Sequence, residues 1–247
     1  MGIPKRLSKA IAIFVLSFAS CISILQISSC ALNYKAPDIL LPDADVDALR
    51  DIIPSCVKVV TDAGYGSGII VGYQEINGKY KIYVLTAKHV TDGCPDIIVI
   101  LYKGSNPTQF EAATLEAENA TLDQSILSYV ADTPPTTVAS LLDVPLEEGT
   151  HVYTLGCGNL GYPYIADARI SGYSRGDLVV CGPVIYGHSG GGCLVVMKGK
   201  LYIAGTISRL GSYNGKEVWT LGLCAPIPNT VKWLEKEGRH ILPYLCR

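Results

Sequence analysis

The chain has 247 residues, 49% of them hydrophobic and 17% charged, with a formal net charge of −2. That composition excludes a disordered chain and removes the usual electrostatic case for a nucleic-acid partner, while the length suits one large β domain or two small ones. Nine cysteines fit an oxidising compartment, and none stands in the tight CxxC spacing of a zinc site, so neither a metal nor a cofactor is expected.

In chain order, Lys5, Arg6 and Lys9 come first and precede an uncharged run from Ala10 to Cys30. Residues 1–30 read as a signal peptide or a membrane anchor, with the basic end kept in the cytoplasm and the rest of the chain carried to the other side. The expected location is therefore exported or membrane-anchored, with the membrane as a partner through this segment. Ile27-Ser28-Ser29-Cys30 resembles a bacterial lipobox, which marks Cys30 as a lipidation candidate. Residues 31–54, containing prolines and acids, then read as a tether. If Cys21 and Cys30 belong to the leader, seven cysteines remain, and an odd number cannot all pair internally. Cys193, inside an apolar stretch, reads as a small core residue.

From Ser55 onward short β-rich segments alternate with glycine-containing turns. Cys56–Val60, Gly68–Tyr73, Tyr80–Thr86, Ile97–Tyr102 and Ser125–Val130 form a first series. Asn77-Gly78 between the second and third is a hairpin signal, because both residues tolerate the positive φ of a type I′ turn. Ala131–Pro145, with Pro134-Pro135, has the composition of a connection, and the boundary between residues 55–135 and 136–247 falls there. Gly149–Gly156, Ala166–Tyr173, Leu178–Cys181, Gly192–Met197, Leu201–Ile207 and Val218–Ala225 form a second series. Asn229–Gly238, with Asn229 read as its cap, closes the chain as a short helix. The fold class is all-β.

Tyr186-Gly-His-Ser-Gly-Gly-Gly192 packs four glycines around one serine, a composition that lets backbone amides turn inward. A serine hydroxyl is a poor nucleophile unless a base takes its proton, a third group orients that base, and amides receive the developing oxyanion. The base candidate is His89, where the strand ending Val84-Leu-Thr-Ala stops. The orienting acid is Asp123, at the mouth of the alternating segment Gln124–Val130. Ser189 is the nucleophile, and the amides of Gly187 and Ser189 are the oxyanion donors.

These blocks resemble the trypsin-like serine peptidases, and the bacterial HtrA/Deg branch more than the digestive enzymes. The resemblance rests on Gly66-Ser-Gly68, Thr86-Ala-Lys-His-Val90, Asp123-Gln-Ser-Ile-Leu127, Gly187-His-Ser-Gly-Gly191, Ile203-Ala-Gly205 and Leu221–Pro228, and spans most of Ser55–Glu237. It implies two six-stranded antiparallel β-barrels of the chymotrypsin-like kind with a short C-terminal helix, and a protein or peptide substrate; regulation through the C-terminal peptide-binding module that many Deg proteins carry is not expected here. The resemblance implies a triad in the order His, Asp, Ser.

His188 stands where digestive relatives carry an aspartate that pairs with a new N-terminus, and is read as pointing outward. The resemblance places Pro183, Tyr186, Gly205, Thr206 and Ile207 in the primary substrate pocket. None is acidic, so small or medium apolar side chains are expected there rather than Lys or Arg. The competing reading is a catalytically inactive scaffold or binding protein on the same fold.

Overall fold

The computed structural model describes residues 43–246. The apolar leader, Cys30 and the first part of the tether lie outside the described residues. Where the tether enters the structure it is not an extended spacer: Asp43–Ile52 form helix α1, followed by a 3-10 turn over Ile53–Ser55. Pro54 falls in the first turn of that segment, where a missing N–H breaks no bond. Leu49 and Ile52 are buried, which explains the departure, since a spacer has nothing to bury. Among the described residues no helix is long and apolar enough to cross a membrane.

Six strands form a first closed antiparallel barrel: β1 (Cys56–Thr61), β2 (Gly64–Ile76), β3 (Lys79–Ala87), β4 (Ile97–Lys103), β5 (Asn106–Asn119) and β6 (Gln124–Ala131). Their order is β1-β2-β3-β6-β5-β4, and β4 returns to pair with β1. Asn77 and Gly78 turn β2 into β3 at φ of 52° and 76°, as the hairpin signal requires. β5 has no counterpart in the sequence reading. Its Asn106-Pro-Thr-Gln-Phe-Glu-Ala-Ala-Thr-Leu-Glu stretch is exposed for most of its length, so no apolar alternation marks it, and only pairing with β4 and β6 holds it extended.

A second closed barrel follows, from β8 (His151–Gly156), β9 (Tyr164–Ser174), β10 (Asp177–Cys181), β11 (Gly192–Met197), β12 (Lys200–Tyr213) and β13 (Lys216–Pro226). The order β11-β8-β9-β10-β13-β12 closes through β11–β12, and a two-residue strand β7 (Ser140–Leu141) pairs parallel to β12 from within the connection. The last helix, α3 (Ile227–Lys236), starts two residues earlier than expected. Its N-cap is Pro226, with Pro228 inside the first turn, so Asn229 is a helix-interior residue and not a cap.

Each barrel has its own core. Val57, Val59, Ile70, Val84, Val99 and Leu127 fill the first, and Val152, Ile170, Leu178, Val180, Cys193 and Ile207 fill the second. Cys193 is a buried core residue. Closed barrels carry no free sheet edge and hold strand ends in rigid register, which allows loops at those ends to present side chains accurately.

Candidate active site

The register of β3 against β6 decides where the first two candidates meet. Ala87 lies opposite Gln124, so the residues just past these ends, Lys88-His89 and Asp123, are brought together 34 positions apart in sequence. Lys88–Thr91 form a single helical turn, α2. Asp123 adopts φ +52°, a left-handed conformation that Asp tolerates better than most residues. The Asn119 side chain stabilises that turn by accepting from the Leu122 amide at 2.9 Å.

Asp123 is held from four directions. Its carbonyl accepts from the Lys88 amide at 3.0 Å, and its Oδ1 accepts from the His89 amide at 3.0 Å. Its Oδ2 lies 2.8 Å from His89 Nδ1 and accepts from Ser208 Oγ at 2.6 Å. Partial burial pushes the Asp123 pKa up, but the hydrogen bonds from His89 and Ser208, the His89 amide and the nearby imidazole outweigh it and hold the carboxyl below its ordinary value. A carboxylate on one ring nitrogen makes Nδ1 the donor and leaves Nε2 as the acceptor, the tautomer a general base needs.

Ser189 sits in the loop between β10 and β11. The hydroxyl donates to Ser208 O at 3.2 Å, so in this resting arrangement the serine is turned toward β12. The loop is pinned on both sides. Ser67 N–H donates to Ser189 O at 2.7 Å, and Ser67 Oγ donates to Gly187 O at 2.6 Å while accepting from the Cys157 amide at 2.7 Å. On the other side Gly190 N–H donates to Ile207 O and Ile207 N–H to Gly191 O, at 2.7 and 2.8 Å. His188 N–H closes a turn onto Ile185 O with Gly187 at φ +88° in its third position, where a type II turn requires glycine. Among the described residues no backbone hydrogen bond uses the Gly187 or Ser189 amide, so both donors remain available to an incoming group.

His188 does not point outward. It is fully buried behind the loop, its ring 4.9 Å from that of Tyr164, and neither ring nitrogen has a hydrogen-bond partner. Burial alone drives its pKa down to about 4. The side chain therefore fills space as a neutral ring and does not reach the nucleophile. Lys88 is less free than a solvated surface lysine: its ammonium lies 2.5 Å from Asp92 and 3.8 Å from Glu118.

His89, Asp123 and Ser189 line one open cleft of about 960 Å³. Of the five residues assigned to the substrate pocket, Tyr186 and Ile207 line this cleft, whereas Pro183, Gly205 and Thr206 do not. Thr206 is buried and accepts from Gln124 Nε2 at 3.0 Å across the barrels, and the Pro183 carbonyl accepts from Thr154. The wall is made instead by Val184, Ile185, Ile207 and Leu210, with Arg209 and Glu217 at its rim. Glu217 supplies the acid absent from the sequence reading, and its carboxylate accepts a hydrogen bond from the Tyr186 hydroxyl. Arg209 is paired with Asp177 at 2.5 Å. Glu217 escaped notice because it belongs to a hairpin that curls back only once β12 and β13 extend beyond their apolar cores. Ser67 and Ser208 were missed for a similar reason: Ser67 lies in the Gly66-Ser-Gly68 block and Ser208 directly after the Leu201–Ile207 segment, but only register shows what each hydroxyl meets. Among the described residues no group of three or more His, Cys, Asp or Glu side chains is placed to hold a metal.

Two closed six-stranded barrels, with His and Asp at the strand ends of one and a glycine-bound Ser in a loop of the other, define the chymotrypsin-like class of serine endopeptidase. The chain matches the family model of the trypsin-like peptidase domain over residues 66–202, more than half of its length, and belongs to that family. Comparison with curated protein sequences gave no match. Among solved structures it is similar to a serine endoprotease from Yersinia pestis, with 23% identity, a TM-score of 0.62, and coverage of 80% of this chain and 67% of that one. It is also similar to the Rv3671c protease of M. tuberculosis in an inactive form, with 20% identity, a TM-score of 0.59, and coverage of 79% and 94%. A serine-to-alanine mutant of the same protease gives 21%, 0.59, and 82% and 97%. At these identities the likeness is one of fold.

Proposed function

We propose that this peptidase hydrolyses peptide bonds through His89, Asp123 and Ser189, by way of an acyl-enzyme. The observation that carries the reading is the Asp123 carboxylate, bonded twice to His89, which orients the ring through Nδ1 beside a serine loop whose Gly187 and Ser189 amides are uncommitted. Rotation of the Ser189 side chain away from Ser208 O brings its hydroxyl toward His89 Nε2. The oxygen then attacks the substrate carbonyl carbon, its proton passes to Nε2, and the Gly187 and Ser189 amides receive the oxyanion. Collapse of that intermediate expels the amine, which takes the proton from His89. Water repeats the sequence on the acyl-enzyme and releases Ser189. Asp123 keeps the ring in one tautomer and stabilises the imidazolium.

The apolar wall of Val184, Ile185, Ile207 and Leu210 favours small or medium apolar side chains next to the scissile bond. A cleavage profile dominated by Lys or Arg at that position would show instead that Glu217 selects the substrate. The apolar run at residues 10–30 supports export or anchoring of the catalytic part outside the cytoplasm, and Cys30 is the proposed lipidation site. Cys30→Ala abolishes lipid labelling in a bacterial host if that reading holds, and unchanged labelling overturns it.

Covalent labelling by a fluorophosphonate tests the catalytic proposal. Labelling that Ser189→Ala and His89→Ala both abolish is the expected result. A folded wild-type protein that does not label is the result expected of a scaffold.

A further inference from the structure

Outside the cleft, two thiols meet between the barrels. Cys56 opens β1 in the first barrel, and Cys157 follows β8 in the second. Both are fully buried, and their sulfurs lie 3.9 Å apart across a separation of 101 residues. A disulfide needs its sulfurs at about 2 Å, so the two thiols are in contact and must draw closer for a bond to form.

We propose that Cys56 and Cys157 are an unassigned oxidation site, which a small-molecule or protein disulfide converts into a covalent staple between the two barrels. One thiolate attacks the donor disulfide, forming a mixed disulfide and releasing one donor thiolate. The second cysteine displaces the other donor sulfur, so the Cys56–Cys157 bond forms as the donor is reduced to two thiols, which carry off both protons. Burial, and then the neighbouring Cys157 thiol, hold Cys56 protonated in the folded state. Closure therefore happens while the chain folds, before the barrels exclude solvent. The staple is independent of catalysis, and draws on the export reading only for where the chain meets its oxidant.

The location gives the bond a consequence. The Cys157 amide donates to Ser67 Oγ, which itself donates to Gly187 O, so the stapled segment borders the turn that carries the Gly187 amide. Of the other described cysteines, Cys94 contacts the Asp92 carbonyl, Cys246 contacts Ser140 and Cys181 is exposed, while Cys193 and Cys224 are both buried and interact within the core of the second barrel, so they do not link the two barrels.

Full-length chain, unfolded in denaturant and refolded in detergent with reduced and oxidised glutathione, is alkylated and digested without reductant. A cross-linked peptide pair containing Cys56 and Cys157 is expected, together with a Tm on the order of 10 °C above that of protein refolded in reductant, given the long loop closed. In Cys56→Ala and Cys157→Ala the cross-link is absent and the difference in Tm disappears. Recovery of both cysteines as alkylated thiols from folded, glutathione-treated protein overturns the proposal, and so does pairing of either with another cysteine. Fluorophosphonate labelling of the same samples is read separately, so loss of the catalytic reading leaves this result standing, and the reverse also holds.

Discussion

The Ser208 side chain acts on the site through Asp123, and His188, next to the nucleophile in sequence, lies buried behind its loop. Ser208 is a positioning residue: its hydroxyl gives Asp123 Oδ2 a 2.6 Å bond in addition to the one from His89. A hydrogen bond to a charged group contributes about 1.5 kcal/mol, so Ser208→Ala lowers kcat/KM by about tenfold, with KM little changed. Stability has a matching dependence on pH. Because the Asp123 pKa is lowered in the fold, its contribution is present above the ordinary carboxylate range and is lost as pH falls through the folded value. Ser208→Ala shrinks that acid-side loss, which denaturant midpoints measured below pH 4 would show. His188 behaves in the opposite chemical sense. A buried neutral ring with a pKa of about 4, against 6.5 when free, leaves the unfolded chain the better proton acceptor. Its contribution is intact above pH 6.5 and is lost as pH falls toward 4, at a cost of about 3 kcal/mol. His188→Leu removes that component, so its denaturation midpoint falls less than that of the wild type between pH 7 and 4.5. An equal fall in both would show that another group carries the effect.

At the scale of elements, the loop before β11 works because its glycines admit backbone where a side chain would not fit. A Cβ on Gly190 would meet Ser67 O at 2.1 Å and Thr86 Oγ1 at 2.3 Å, and φ there is +86°. Gly190→Ala is therefore expected to abolish fluorophosphonate labelling while the far-UV circular dichroism of the barrels persists. Labelling at the wild-type rate would mean that the loop tolerates displacement from β2. The same contact explains why Gly66 stands on β2, since a Cβ there would reach Ser189 O at 2.7 Å. The glycines of this loop could be recognised in the sequence as chemically meaningful; which strand each one admits could not.

Across the whole molecule, the site exists only if the two barrels keep their mutual position, because His89 and Asp123 belong to one and Ser189 to the other. Ser67 is a principal link: from β2 it binds Ser189 O, Gly187 O and the Cys157 amide. Gln124 Nε2, buried between the barrels, adds a bond to Thr206 Oγ1. Ser67→Ala leaves a buried amide and carbonyl without their side-chain partner, at a cost of about 1–3 kcal/mol. Its Tm should fall by roughly 2–4 °C per kcal/mol, and labelling should slow more than stability alone explains. A lower Tm with unchanged labelling would assign Ser67 to the fold and not to the site.

Local pattern in the sequence determined most of what repeats locally. The strands with apolar alternation, the Asn77-Gly78 turn, the C-terminal helix and the residue types of the serine loop all follow from short-range sterics and periodicity. Local pattern also singled out His89, Asp123 and Ser189 as residues whose chemistries complement one another. It could not recover β5, whose exposed Glu- and Ala-rich stretch is extended only because neighbouring strands pair with it, nor α1, which the tether's composition concealed. The tertiary structure alone decided that His188 is buried, that Ser208 meets Asp123, that Glu217 reaches the cleft, and that Cys56 faces Cys157. Each depends on the register of strands far apart in sequence, and no local preference encodes which side chains such a register brings into contact.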